Sequence, residues 1–360
     1  MDHRLARLRA ALAERGLPAL LVSAPANRRY LSGFSGSYGY LLVTADQALL
    51  FTDSRYTLRA AQEAPGVAIR QVVNPGRPFP ALLAEAAAEL GLARIAFEAA
   101  HTTVAEHRGL SQALGGGVEL VPAEGLVEEL REEKDATELA TLRRAIAITD
   151  AAFTAVLERL TPETTEREAA WMLEVAMRVG GAEAVAFPII VAAGPNGAQP
   201  HASAGDTPLG SGRPIVIDMG ARVDGYHADL TRTIVLGEPD ARFRELYAIV
   251  RDAQARTIAG LRPGLPAHEA DALARDYIAA AGYGEHFGHG LGHGVGLNIH
   301  EGPSLRRSAT GSSAPLRPGM VTSVEPGIYL EGWGGIRIED LVLITEGGCE
   351  VLSQAPKLSL

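Results

Sequence analysis

At 360 residues the chain is long enough for two domains of roughly 150 residues each, and 47% apolar with 21% charged residues is the chemistry of a folded globular protein. A net charge of −10 argues against nucleic acid or an anionic membrane surface as the main partner. Only Lys134 and Lys357 are lysines, so no lysine-bearing phosphate loop can be written, and the single Cys349 removes intrachain disulfides and cysteine-rich zinc sites. Any metal must be held by carboxylates and imidazoles.

Residues 1–16 carry Leu5, Leu8 and Leu12 on one helical face with Gly16 as a stop, unlike the continuous apolar stretch of an export signal. No run approaches the roughly 18 apolar residues of a membrane span, and a cytoplasmic location is expected. From 18 to about 121, apolar strand candidates at 18–23, 38–44, 48–53, 67–72 and 94–98 alternate with alanine-rich helical text such as 78–91. That alternation predicts an α/β N-terminal domain. Charged, helix-favouring text at 128–138, after Pro122 and Gly125, marks the boundary, which divides the chain into domains 1–130 and 131–360.

The second part carries a weak internal repeat. Leu160, Pro162, Glu168, Ala169 and Gly181 recur 101 positions later as Leu261, Pro263, Glu269, Ala270 and Gly282, each copy reading as helix, turn, helix and then strands. Duplication of this kind predicts a pseudo-symmetric α+β domain with its site between the halves.

Residues 214–236, PIVIDMGARVDGYHADLTRTIVL, form two alternating β-branched runs broken at Asp224-Gly225, a type I′ turn pair. With those two as the loop, Asp218 faces Thr231 and Asp229 lies on the diagonal beside Asp218, so both carboxylates project from one face. Either they are solvent-facing residues beside an ordinary turn, or a cation sits between them, because two aspartates on an apolar sheet repel and cost desolvation. Residues 287–301, FGHGLGHGVGLNIHE, hold His289, His293 and His300 among glycines that disfavour helix and favour a looped backbone approached closely by a ligand or strand. The alternative there is a surface loop. Two more strands are expected at 320–325, ending in Glu325, and at 335–345, where Arg337 and Glu339 share a face and a buried Arg337–Glu339 pair is the competing reading. Together the segments offer Asp218, Asp229, His293, Glu325 and Glu339, whose four carboxylates and neutral imidazole total −4, the charge that two divalent ions neutralise.

These residues, in the blocks IDMGARVDGYHADLTRT, GHGLGHGVGLNIHE, SVEPGIY and GGIRIED, resemble the pita-bread metallopeptidase family that includes methionine aminopeptidase, aminopeptidase P and prolidase. The resemblance covers about residues 130–355. The preceding part, with NRRYLSGFSGS and FTDSRY, resembles the creatinase-type N-terminal domain of the Xaa-Pro-cleaving branch. It implies an α/β N-terminal domain followed by a duplicated α+β pita-bread catalytic domain. It further implies metal ligation by Asp218, Asp229, His293, Glu325 and Glu339, with Asp229 and Glu339 shared by both ions and Glu325 also moving the proton of the attacking water. Two divalent ions are implied, manganese or cobalt favoured by the oxygen-rich ligand set and zinc or iron also compatible. His201 in QPHASAG, His289, His300 and Arg337 correspond to residues lining the family's substrate site, where His201 and His300 would steady the scissile amide and its oxyanion. Thr231 is expected to support the carboxylate of Asp229.

The activity implied is removal of the N-terminal residue from Xaa-Pro dipeptides, longer Xaa-Pro peptides, or both. Several prolidases carry an arginine shortly after the His-Glu-x-Pro segment; here His300-Glu301-Gly302-Pro303 is followed by Ser304, with Arg306 and Arg307 further on, so action on either length is expected. Methionine aminopeptidase fits less well because its minimal form has no such N-terminal domain, and a non-enzymatic binding or chaperone-like protein on the same fold is the alternative of a different class. A homodimer is implied by analogy, with Asn27 and Arg55 near a neighbouring subunit's site. The loop 304–319 is either a mobile rim or a passive connection.

Overall fold

The computed structural model describes residues 2–359 and resolves into two compact units, one up to Arg131 and one from Glu132. The first begins with α1 (Asp2–Glu14), whose Leu5, Leu8 and Leu12 are buried. It continues through β1 (Ala19–Val22), α2 (Pro25–Ser32), β2 (Tyr40–Thr44), β3 (Ala48–Asp53), α3 (Thr57–Glu63), β4 (Ala68–Val72), α4 (Phe79–Glu89), β5 (Arg94–Glu98), α5 (Val104–Leu114) and β6 (Glu119–Ala123). The strands form one mixed sheet, β4-β3-β2-β1-β5-β6. Every side chain of β1 is buried, the mark of a strand covered on both faces. On one face Leu82, Leu83 and Ala86 of α4 and Leu110 and Leu114 of α5 pack on Leu21, Leu42 and Phe51. Asn27 is buried between Glu98, Glu128 and Arg131, and Arg55 is exposed on Asp53. The short α6 (Glu128–Glu132) follows.

In the second unit α7 (Ala136–Leu157) and α8 (Glu166–Val179) are each started by a capping box, Asp135 with Glu138 and Thr165 with Glu168. The strands β7 (Ala184–Val185), β8 (Ile190–Ala193), β9 (Ile215–Met219), β10 (Ala221–Val223), β11 (Tyr226–His227) and β12 (Leu230–Ile234) come next. A second helix pair, α9 (Ala241–Gly260) and α10 (Ala267–Ala280), precedes β13 (Gly292–Gly294), β14 (Glu301–Leu305), β15 (Val321–Val324), β16 (Gly327–Leu330), β17 (Gly334–Arg337), β18 (Asp340–Ile344) and β19 (Cys349–Val351). The first pair packs on the sheet β12-β9-β8 and the second on the strands between β13 and β18. The repeat is visible in the buried faces: α8 turns Ala169, Leu173 and Met177 inward, and α10 turns Ala270, Ala274 and Ile278 inward, the same three positions shifted by 101 (270 − 169).

The hairpin register is the expected one, Val223 opposite Tyr226 and Asp218 opposite Thr231, with Asp224 and Gly225 at φ 46° and 77°. The strands are not continuous, however. At Gly220 the chain passes so close to its partner that a Cβ would lie 1.9 Å from the Ala228 carbonyl oxygen, and β9 and β10 separate there into two sheets. The single strand expected over 335–345 is likewise corrected to two, β17 and β18, which pair with β16 and β15 respectively. Ile338 and Glu339 form the step between them, and Arg337 and Glu339 line the same cavity across it, as their shared face predicts. The middle of 304–319 is tied to the start of α10: Ala267 N donates to the Ala314 carbonyl and His268 N to Ser313 Oγ.

Candidate metal centre

Asp218 is the penultimate residue of β9, Asp229 precedes β12, His293 sits on β13, Glu325 follows β15 and Glu339 fills the step between β17 and β18. All five line one cavity of about 480 Å³, together with His201, His289, His300 and Arg337, so the expected ligands and the expected substrate-site residues face the same space, while Thr231, Asn27 and Arg55 are not among its lining. Ligand atoms of Asp229, His293 and Glu339 lie within 4.8 Å of one another. His293 Nε2 is 3.4 Å from Glu325 Oε1 and 3.6 Å from Asp229 Oδ2.

Glycine makes the approach feasible. A Cβ on Gly292 would come 2.0 Å from the Ser323 carbonyl oxygen, so only glycine lets β13 lie against β15 with His293 beside Glu325. Ser323 Oγ accepts from His293 N and donates to Glu325 Oε1. The loop is held from α10 by the buried Asp271–Arg275 ion pair. Asp271 accepts from Leu291 N, and Arg275 donates to the carbonyls of Phe287 and His289. His293 Nδ1 donates to the Gly294 carbonyl, which leaves the Nε2 lone pair facing the carboxylates. Burial lowers its pKa to about 4, so the ring is neutral near pH 7 and able to ligate.

The carboxylates are crowded. Burial, then Glu339, Asp218 and Glu325, push the Asp229 carboxyl well above its usual range. Burial, then Glu325 and Asp218, do the same to Glu339. Glu325 is raised to about 7 by burial, against the pull of Arg337. Asp218 Oδ1 and Glu339 Oε1 are buried with no hydrogen-bond partner among the described residues. Buried orphan acceptors beside repelling acids are what a cation relieves, and this donor set, oxygen-rich with one imidazole and no thiolate, fits divalent ions.

Arg337 does not pair with Glu339, which corrects the competing reading. Its Nη2 donates to Asp218 Oδ2 at 2.7 Å, its Nη1 to Tyr329 OH at 2.9 Å and to the Pro200 carbonyl at 3.3 Å, and its Nε to Thr231 Oγ1 at 3.1 Å. Burial opposes its charge, yet Tyr329, Asp218 and Glu325 hold its pKa well above the usual value. Thr231 donates to Glu339 Oε2 at 2.8 Å, not to Asp229 as expected, because Glu339 N already pairs with the Thr231 carbonyl and brings that carboxylate alongside. His289 is engaged too: Nδ1 donates to the Gly290 carbonyl and Nε2 accepts from Tyr329 OH at 2.9 Å. His201 and His300 lie at the exposed side of the cavity, with the His300 ring edge-on to His293 at 4.3 Å. Tyr329 was not read from the sequence, although Glu325, Gly327 and Tyr329 share the two-residue strand period. The apolar walls Phe187, Pro188, Ile190 and Ile299 carried no signal of their own.

Comparison with known proteins agrees with this geometry. The model of metallopeptidase family M24 matches residues 140–346, and that of the creatinase/prolidase N-terminal domain matches 4–132. The Xaa-Pro dipeptidase of Pyrococcus furiosus is 35% identical, with 99% of each chain covered. The structure of an Xaa-Pro dipeptidase from Bacillus anthracis superposes with a TM-score of 0.94 at 40% identity, covering 99% of this chain and 98% of that one. An X-Pro aminopeptidase from Thermotoga maritima gives 0.88 at 39% identity, covering 96% and 98%. The chain belongs to metallopeptidase family M24, with a creatinase/prolidase-type N-terminal domain.

Proposed function

We propose that this chain hydrolyses the bond preceding proline, removing the N-terminal residue from Xaa-Pro dipeptides and from short peptides that begin Xaa-Pro. In this reading residues 131–360 form the catalytic domain and 1–130 the creatinase-type domain. Asp218, Asp229, His293, Glu325 and Glu339 hold two divalent ions, manganese or cobalt before zinc or iron. The observation that carries it is the pair of buried, unpartnered oxygens, Asp218 Oδ1 and Glu339 Oε1, in a cavity where further acids repel one another. When bound, such ions supply Lewis acidity for the scissile carbonyl and lower the pKa of water to near neutrality.

The chain's own residues do the rest. Glu325, whose carboxylate lines the cavity beside His293, is the general base that takes the proton of the attacking water and returns it. Arg337, Tyr329 and Thr231 hold Asp218, His289 and Glu339 in place, and Arg337 acts by positioning, since four of its five N–H donors are taken by protein groups. His201 and His300 stand at the open side to hydrogen-bond the amide and the developing oxyanion. The walls formed by Phe187, Pro188, Ile190 and Ile299 suit a pyrrolidine ring and exclude water around it. Arg306 and Ser304 also line the cavity, and Arg306 gives a dipeptide's carboxylate a cation without closing the path to a longer chain.

No helix among the described residues is long and apolar enough to cross a membrane, which is compatible with the cytoplasmic homodimer we propose. The test is Ala-Pro hydrolysis by metal-stripped protein with and without Mn²⁺, beside Asp229→Ala. Manganese should restore turnover in the parent, and the variant should fall by about 100-fold or more. Metal uptake with no turnover on Ala-Pro or Ala-Pro-Ala would refute the reading, and failure on only one of the two substrates would refute the breadth of substrate length.

A further inference from the structure

Gln254 lies on α9, is 1% exposed and does not line the cavity. Its Nε2 donates to the Val324 carbonyl at 3.1 Å and to the Ile338 carbonyl at 3.2 Å. Those carbonyls belong to the residues immediately before Glu325 and Glu339, on separate segments of chain. One amide group, with both of its hydrogens used, therefore spans the two points from which the glutamates depart. Because both partners can only accept, the amide orientation is fixed, and Oε1 is left buried with no partner among the described residues. Burying an unpartnered acceptor is unfavourable where an apolar side chain of the same shape would pack among Val250, Val324 and Ile338. The residue is better explained by what its other end holds.

We infer that Gln254 is a positioning residue for the metal centre, setting the separation of Glu325 and Glu339 through the backbone at Val324 and Ile338. The inference rests on the proposed ligand set. Without the two hydrogen bonds Val324 keeps its pairing with Asp340 on β18, but the tie between its carbonyl and that of Ile338 is lost, and the glutamates that follow no longer hold the mutual spacing the ions require. Outer groups that orient ligands commonly change metal affinity by about 10- to 100-fold when removed.

The test is Gln254→Met, which keeps the volume and removes the donors, beside Val250→Ala, which loosens the same helix in the same core without touching either carbonyl. Mn²⁺ binding to metal-stripped protein is followed by calorimetry, with unfolding curves and Ala-Pro kinetics recorded alongside. Gln254→Met should bind manganese about 10-fold or more weakly and lose kcat at saturating metal with KM little changed. Val250→Ala should be less stable yet bind the ion as the parent does. Parental affinity and kcat in Gln254→Met, or an equal loss in Val250→Ala, would overturn the inference while leaving the metal reading intact. A parent chain that binds no divalent ion would overturn that reading, and this inference with it.

Discussion

Glu325 is the residue whose chemistry depends most on what surrounds it. In the metal-free folded chain burial raises its carboxyl from 4.5 to about 7, so the folded state keeps a proton that the unfolded state has already released. A raised pKa stabilises the fold fully below about pH 4.5, and that contribution is lost as the pH rises towards 7. Compared with Glu325→Gln, the parent should therefore lose stability, on the order of a few kcal/mol, as the pH rises from about 4.5 towards 7, with Asp229 and Glu339 titrating in the same cluster. Urea unfolding in the presence of a chelator checks this, and a difference independent of pH would contradict it. His293 and His289, lowered to about 4 by burial, act in the opposite sense: they disfavour the fold as the pH falls below about 6.5, so the comparison is read above that pH.

At the scale of elements, the histidine loop is held by one helix and by the close approaches that Gly292 and Gly294 allow. Arg275→Met would leave Asp271 buried and unpaired, with the Phe287 and His289 carbonyls released, and should cost about 3–5 kcal/mol. Metal affinity should fall with it, because Leu291 and His293 follow the same backbone; denaturant unfolding together with manganese titration would reveal either part failing. This support was not legible in the sequence, where Asp271 and Arg275 read as ordinary helix charges four residues apart. What was legible has a local physical origin. The Asp224-Gly225 turn fixed the register that sets Asp218 opposite Thr231, and the glycines around His293 announced a close backbone approach. The step at Ile338 and Glu339 coincides with a break in the alternation, where the consecutive acids Glu339 and Asp340 precede the continuous apolar run 341–344, a signal that a single-strand reading of 335–345 passes over. Thr231 is expected at Asp229 because strand period relates residues along one strand and is silent about Glu339 arriving from another segment of the chain.

For the molecule as a whole, the proposed ligands all fall in the unit from Glu132 onward. Metal-stripped protein given Mn²⁺ at 100 times its dissociation constant should gain about 2.7 kcal/mol per occupied site. At about 2–4 °C per kcal/mol for a unit of this size, the corresponding calorimetric transition should rise by roughly 5–10 °C per site, and no shift would count against a folded-state metal centre. The ligands are also spread over 121 positions of chain, from Asp218 to Glu339 (339 − 218); the hairpin brings Asp218 and Asp229 together locally, but that pair, His293 and the stretch from Glu325 to Glu339 meet only through long-range pairings. An unfolded chain pays loop-closure entropy to assemble these three groups, whereas a zinc finger gathers its ligands within one short segment. The ion therefore arrives after the topology is set. Manganese should leave the refolding rate where it is and slow only unfolding, so that the metal acts as a latch on a finished fold and never as its template.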